Sequence, residues 1–75
     1  MNAIITVENP FPDIESIKIY KSFKGDSNSR IFPVKINDTL SNVRFNKNAM
    51  WADKAFADNF SDEVLNFVGN LINSN

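Results

Sequence analysis

The chain has 75 residues, 43% of them hydrophobic, with seven Phe, one Tyr and one Trp, a formal net charge of −1 and a pI near 5.1. That size leaves room for a single domain over 1–75, near the lower limit for folding without metal, disulfide or partner, and the apolar share excludes disorder throughout. Cys and His are both absent, which excludes a disulfide framework, thiolate chemistry, and the commonest general base and metal ligand.

The first eight residues, Met1-Asn2-Ala3-Ile4-Ile5-Thr6-Val7-Glu8, lack the basic start and long apolar run of a signal peptide. No segment approaches the roughly 18 apolar residues of a membrane span. The expectation is a cytoplasmic protein with no membrane partner. Two sequons, Asn37-Asp38-Thr39 and Asn59-Phe60-Ser61, are what chance supplies in an Asn-rich chain and carry no argument.

In chain order, 3–8 reads as a short strand, and the prolines of Asn9-Pro10-Phe11-Pro12-Asp13 then stop it, with Phe11 as a plug over one end of the core. A hairpin follows over 17–36. Ile17, Ile19 and Phe23 alternate with Lys18, Tyr20 and Ser22, and Phe32, Val34 and Ile36 alternate with Ile31, Pro33 and Lys35, the period of half-buried strands. Placing Phe23 and Phe32 together on the buried face predicts that they are cross-strand partners. That register pairs Ile19 with Ile36 and Lys21 with Val34, leaves Lys21 to snorkel to the margin, and puts a polar loop over 25–30. Pro33 has no N–H for a ladder, so it predicts an edge strand or a nitrogen turned away from its neighbour.

The stretch 39–45 reads as a strand at 42–45, with a single helical turn through Leu40 and Val43 as the alternative. Asn46-Lys47-Asn48 is a turn. Ala49, Ala52, Phe56 and Phe60, spaced three to four apart, predict a first helix over 49–58. Ser61 is a good N-cap for a second over 62–72, with Asp62 and Glu63 in its first turn and Val64, Leu65, Val68, Leu71 and Ile72 as its apolar stripe. Gly69 weakens that helix and predicts a close approach to the sheet. The expected fold class is α+β: a small antiparallel sheet of three to four strands (3–8, 16–24, 31–36, with 42–45 as the fourth) and two C-terminal helices packed on one face.

Charge is unevenly laid out. Between Ser16 and Lys47 there are seven bases against Asp26 and Asp38; before Ser16 there are only acids, and after Lys47 four acids against Lys54. A sheet with a basic outer face and acidic helices follows as an expectation. Lys18, Lys24, Arg30 and Lys35 are the candidate nucleic-acid contacts, with Tyr20 to stack on a base. Lysines on the solvated face of an ordinary antiparallel sheet explain the same pattern, and the overall pI argues against a dedicated nucleic-acid domain. Trp51 falls off the Ala52/Phe56 stripe, so it is either core or an exposed anchor of the kind that dominates binding surfaces. Ile31 and Pro33 on the outer hairpin face add to an apolar patch that a partner could cover. Asp58, Asp62 and Glu63 lack the spacing of a calcium loop, the Gly25-Asp26-Ser27-Asn28 loop lacks the pattern of a phosphate cradle, and no Ser has a His to activate it. No catalytic residue, metal or cofactor is expected.

As a class, short single domains without His, Cys or a catalytic motif resemble phage and mobile-element inhibitors of host machinery, anti-CRISPR proteins among them. The resemblance implies a non-catalytic protein-binding module that acts by steric occlusion of a larger partner. Tyr20, Ile31, Lys35 and Trp51 are the partner-binding candidates. Nucleic-acid binding by the hairpin lysines is the alternative, and a self-assembling subunit, or a homodimer through an edge strand, is a further one.

Overall fold

The computed structural model describes residues 2–26, 28–46 and 49–74. Six strands, β1 (Ile5–Phe11), β2 (Ile14–Ile19), β3 (Phe23–Lys24), β4 (Arg30–Ile36), β5 (Thr39–Asn46) and β6 (Ala49–Ala52), precede two helices, α1 (Lys54–Ala57) and α2 (Asp62–Asn73). The strands form one antiparallel sheet in the order β1-β2-β4-β5-β6, with β3 also paired to β4. The α+β class is as expected, but the sheet exceeds the three to four strands read from the sequence.

The two additional strands come from two places, a break within 16–24 and the segment 49–52. The segment predicted as one strand over 16–24 is two, β2 and β3, lying end to end along β4. Pro33 accounts for the break. Its carbonyl accepts from the Tyr20 N–H at 2.9 Å, and in an antiparallel ladder the same residue should return a bond from its own N–H. Proline has none, so the ladder lapses after Ile19. Pro33 therefore sits in a central strand, with its nitrogen facing β2, rather than at an edge or turned away.

The register is also different from the expected one. Ile17 faces Ile36 and Ile19 faces Val34, two residues from the predicted pairing, which leaves every side chain of β2 on its predicted face. Beyond Tyr20-Lys21-Ser22 the pairing resumes one residue out of step, with Phe23 opposite Ile31 and Lys24 opposite Arg30. A one-residue slip reverses the faces, so Phe23 points away from the core and is 50% exposed. Lys21 falls within the break and is exposed.

β6 replaces the first half of the helix predicted over 49–58. Met50 faces Phe45 and Ala52 faces Val43, while Trp51 faces Arg44. The free edge of β5 offers four residues a full set of ladder partners, and that outweighs the few tenths of a kcal/mol per residue by which alanine favours helix. Helix begins only at Lys54. β5 reaches back to Thr39 because Asn37-Asp38 is a two-residue turn, which pairs Ile36 with Thr39 at once. The turn 46–48 involves Lys47 and Asn48, which lie outside the described residues.

β1 runs on through Pro10 to Phe11 instead of stopping at Glu8. Asn9 has φ 52°, and the register shifts between Glu8 and Phe11. An edge strand accommodates both the irregularity and the proline. Among the described residues the non-glycine positions with positive φ are Asn9, Asn28 and Asn37, and Asn is the side chain that tolerates that region best. Asn37 does more. Its Oδ1 accepts from Glu15 N at 2.6 Å and Ser16 N at 3.4 Å, and its own N–H reaches Ser16 O at 2.9 Å. The β4–β5 turn is thereby tied to the start of β2.

The core is aliphatic. Ile14, Ile17, Ile19, Val34, Ile36 and Val43 of the sheet cluster with Phe56 of α1 and with Val64, Val68 and Ile72 of α2. Phe11 meets Phe67 edge to face at 5.3 Å, closing one side. Ser61 caps α2 as expected, its hydroxyl accepting from Val64 N at 3.3 Å. Gly69 is not a tight contact: a Cβ there would lie 3.7 Å from Met50 Sδ, an ordinary van der Waals distance. Gly25 is the crowded glycine. A Cβ there would come within 2.8 Å of Ser29 Oγ and 3.0 Å of Ile31 Cγ1. Among the described residues, no helix is long and apolar enough to cross a membrane.

Candidate functional site

Successive side chains of a strand alternate between faces, and direct cross-strand partners share one. Ile17, Ile19, Val34, Ile36 and Val43 therefore define an inner face that carries the buried cluster. The opposite, outer face can be read off the same pairings as three rows, with Glu8 opposite Ser16 as a short fourth beside the first.

The first row runs Leu40, Lys35, Lys18, Thr6 across β5, β4, β2 and β1. The second is Asn42 opposite Pro33, with Tyr20 joined to Pro33 by its backbone bond. The third runs Trp51, Arg44, Ile31, Phe23 across β6, β5, β4 and β3. Leu40 is 62% exposed, Trp51 53% and Phe23 50%. Tyr20, Ile31 and Pro33 are half-buried. Among the described residues, the buried side chains of α1 and α2 cluster with the opposite face.

Two open depressions lie on it. One is bounded by Tyr20, Pro33, Lys35, Asp38 and Leu40. The other lies around Ile31, Arg44 and Trp51, with Asp26 and Asp53 at its margin. The second is underpinned by the 25–29 loop, where Gly25 N donates to Ser29 O at 2.8 Å and Ser29 N to Asp26 O at 3.0 Å. The Ser29 hydroxyl also donates to Asp26 O, and Ser29 is buried.

All four partner-binding candidates, Tyr20, Ile31, Lys35 and Trp51, fall on the outer face. Trp51 is surface, not core. Phe23, Leu40 and Arg44 stand beside them and were not among the candidates. Leu40 was legible from its opposite parity to Val43 and Phe45; Phe23 was not, because its face depends on the slip at Pro33.

The four nucleic-acid candidates are divided. Lys18 and Lys35 face each other on the outer side, whereas Lys24 and Arg30 pair on the opposite parity, where Arg30 Nε donates to Ser22 Oγ at 2.9 Å. The expected basic sheet face is correspondingly diluted. Among the described residues Lys18, Lys35 and Arg44 are the outer cations, and Asp26, Asp38 and Asp53 line the two depressions beside them. Among the described residues the one ion pair is Lys54–Asp58 at 2.8 Å, on the exposed side of α1, and no group of three carboxylates is placed to hold a metal.

Both sheet edges are poor templates for strand addition. β1 is interrupted by Asn9 and Pro10, and β6 has four residues, the usual devices for blunting an edge. Comparison with protein-family models, with curated proteins and with solved structures gives no match.

Proposed function

We propose that the chain is a non-catalytic protein-binding module whose working surface is the outer face of the sheet, and that it acts by covering a surface on a larger partner. The reading takes α1 and α2 as closing the inner face, so that the outer one is free to dock. One observation carries it: Trp51, Phe23, Leu40 and Tyr20 share an uncovered face with Arg44 in their midst. Tyr, Trp, Phe and Arg are the side chains enriched in protein interfaces, and an exposed patch of this kind in a small soluble domain marks a docking surface more often than not. The mixed charge favours a protein over a nucleic acid. A phosphate backbone crossing the face would meet Asp26, Asp38 and Asp53 as well as the cations, whereas an interface with a polar rim accommodates both signs.

Trp51→Ala and Tyr20→Ala are expected to abolish recovery of a partner in affinity capture while leaving the thermal midpoint close to wild type. A large stability loss at both positions returns them to a packing role and overturns the assignment. Steeply salt-dependent binding to a single-stranded oligonucleotide would support the alternative, and a concentration-dependent mass in light scattering would support self-assembly.

A further inference from the structure

Lys18 and Lys35 are direct cross-strand partners. They occupy a hydrogen-bonded position of the ladder, two residues along from the Tyr20–Pro33 bond, where Cα atoms stand about 5.5 Å apart. Both are half-buried, flanked by Thr6 on one side and Leu40 on the other. Neither makes an ion pair among the described residues; Asp38 lines the same depression as Lys35 without reaching it. Like charges directly opposite one another on a sheet are destabilising. The free protein therefore holds a small repulsion at the foot of its apolar face. Glu8, one row from Lys18, and Asp38, near Lys35, are the nearby acids, and neither is in an ion pair with the lysines among the described residues.

We propose that this lysine pair is a carboxylate anchor, and that the partner segment taken by the outer face carries an Asp or Glu flanked by apolar side chains. The proposal rests on the reading of that face as protein-binding and adds the chemistry of the occupant. A carboxylate set between the two ammonium groups accepts from both, and such charge-assisted bonds are shorter and stronger than neutral ones. Its apolar neighbours would enter the depression formed by Tyr20, Pro33 and Leu40. A second copy of the chain is the less complementary occupant, since a two-fold contact centred here would set its own Lys18–Lys35 pair against this one. A continuous polyanion is opposed by the aspartates of both depressions, whereas a single carboxylate has Asp38 alone of them beside it.

The test uses a displayed library of random 16-residue peptides selected on the immobilised full chain. Peptides recovered on the wild type are expected to be enriched in Asp or Glu next to aromatic or aliphatic residues. Lys35→Glu is expected to weaken them about tenfold or more, in line with truncated or reversed charge pairs at interfaces. Exchanging the peptide acid for Lys should restore binding to that variant. The same substitution turns the repulsive pair into an attractive one, so the thermal midpoint of the free variant should rise by ~2–4 °C. Loss of binding cannot then be ascribed to unfolding.

Peptides without acidic enrichment, or binding indifferent to Lys35→Glu, overturn the anchor. If those same peptides are lost on Trp51→Ala, the face still binds protein and only its proposed chemistry fails. Binding indifferent to Lys35→Glu, Trp51→Ala and Tyr20→Ala, or an empty selection, overturns both readings. Displacement of the peptides by a short oligothymidine, steeply reduced by salt, assigns the lysines to nucleic acid and overturns the anchor as well.

Discussion

The two faces of this sheet are built from the same strands and differ in kind. Ile17, Ile19, Val34 and Ile36 are fully buried on one side, while Leu40, Trp51 and Phe23 are half or more exposed on the other. β-Branched aliphatic side chains, stiff at χ1, fill the side that carries the buried cluster. Phe32 and Phe45 pack on that side too, whereas Trp51, Phe23 and Tyr20 are turned outward. A face that only had to be wetted would carry Thr, Lys and Glu. This one carries Trp51, Phe23 and Tyr20 instead, and the proposed docking surface rests on that contrast.

The largest expected effect breaks the inner face. Ile19→Ala leaves a cavity against Val34 and Ile5, and deletions of this type cost about 2–5 kcal/mol, against a total of roughly 5–15 kcal/mol for a domain. Urea unfolding followed by circular dichroism should show a sharply lowered midpoint or no cooperative transition. A near-wild-type midpoint would mean that this side is not the core.

Intermediate effects of opposite sign come from α2. Ser61→Ala removes the cap on Val64 N and should lower stability by ~1 kcal/mol. Gly69→Ala should raise it by up to ~1 kcal/mol, because helix propensity improves and the new methyl only touches Met50. Destabilisation at Gly69 would place α2 closer to β6 than the 3.7 Å contact allows.

The smallest effect sharpens the outer face. Phe23→Ser should stay within about 0.5 kcal/mol of wild type, the range of exposed positions away from caps and cores. The single Trp gives an independent reading: native Trp51 fluorescence should be readily quenched by iodide and shift little on unfolding. Strong protection would return it to the interior.

Much of the inner face was legible. Ile17, Ile19, Val34 and Ile36 announce themselves by alternation, and α2 by its stripe and its Ser61 cap, since both patterns are local. Tyr20, Ile31, Lys35 and Trp51 could each be singled out, but their common face could not, because it depends on which residues pair. Phe23 is the clearest failure. Its apolar neighbours predicted an inward ring, and the one-residue dislocation past Pro33 reversed it.

The sequence alone determined the α+β class, the aliphatic inner strands and the capped C-terminal helix, because periodicity and capping act within a few residues. Only the tertiary structure decided that 49–52 is a strand, that β5 reaches Thr39, and that Trp51 and Phe23 face outward together. Those outcomes rest on which residues pair between neighbouring strands, and the periodicity within one strand does not fix that. In a sheet, a slip of one residue exchanges buried for exposed at every position beyond it.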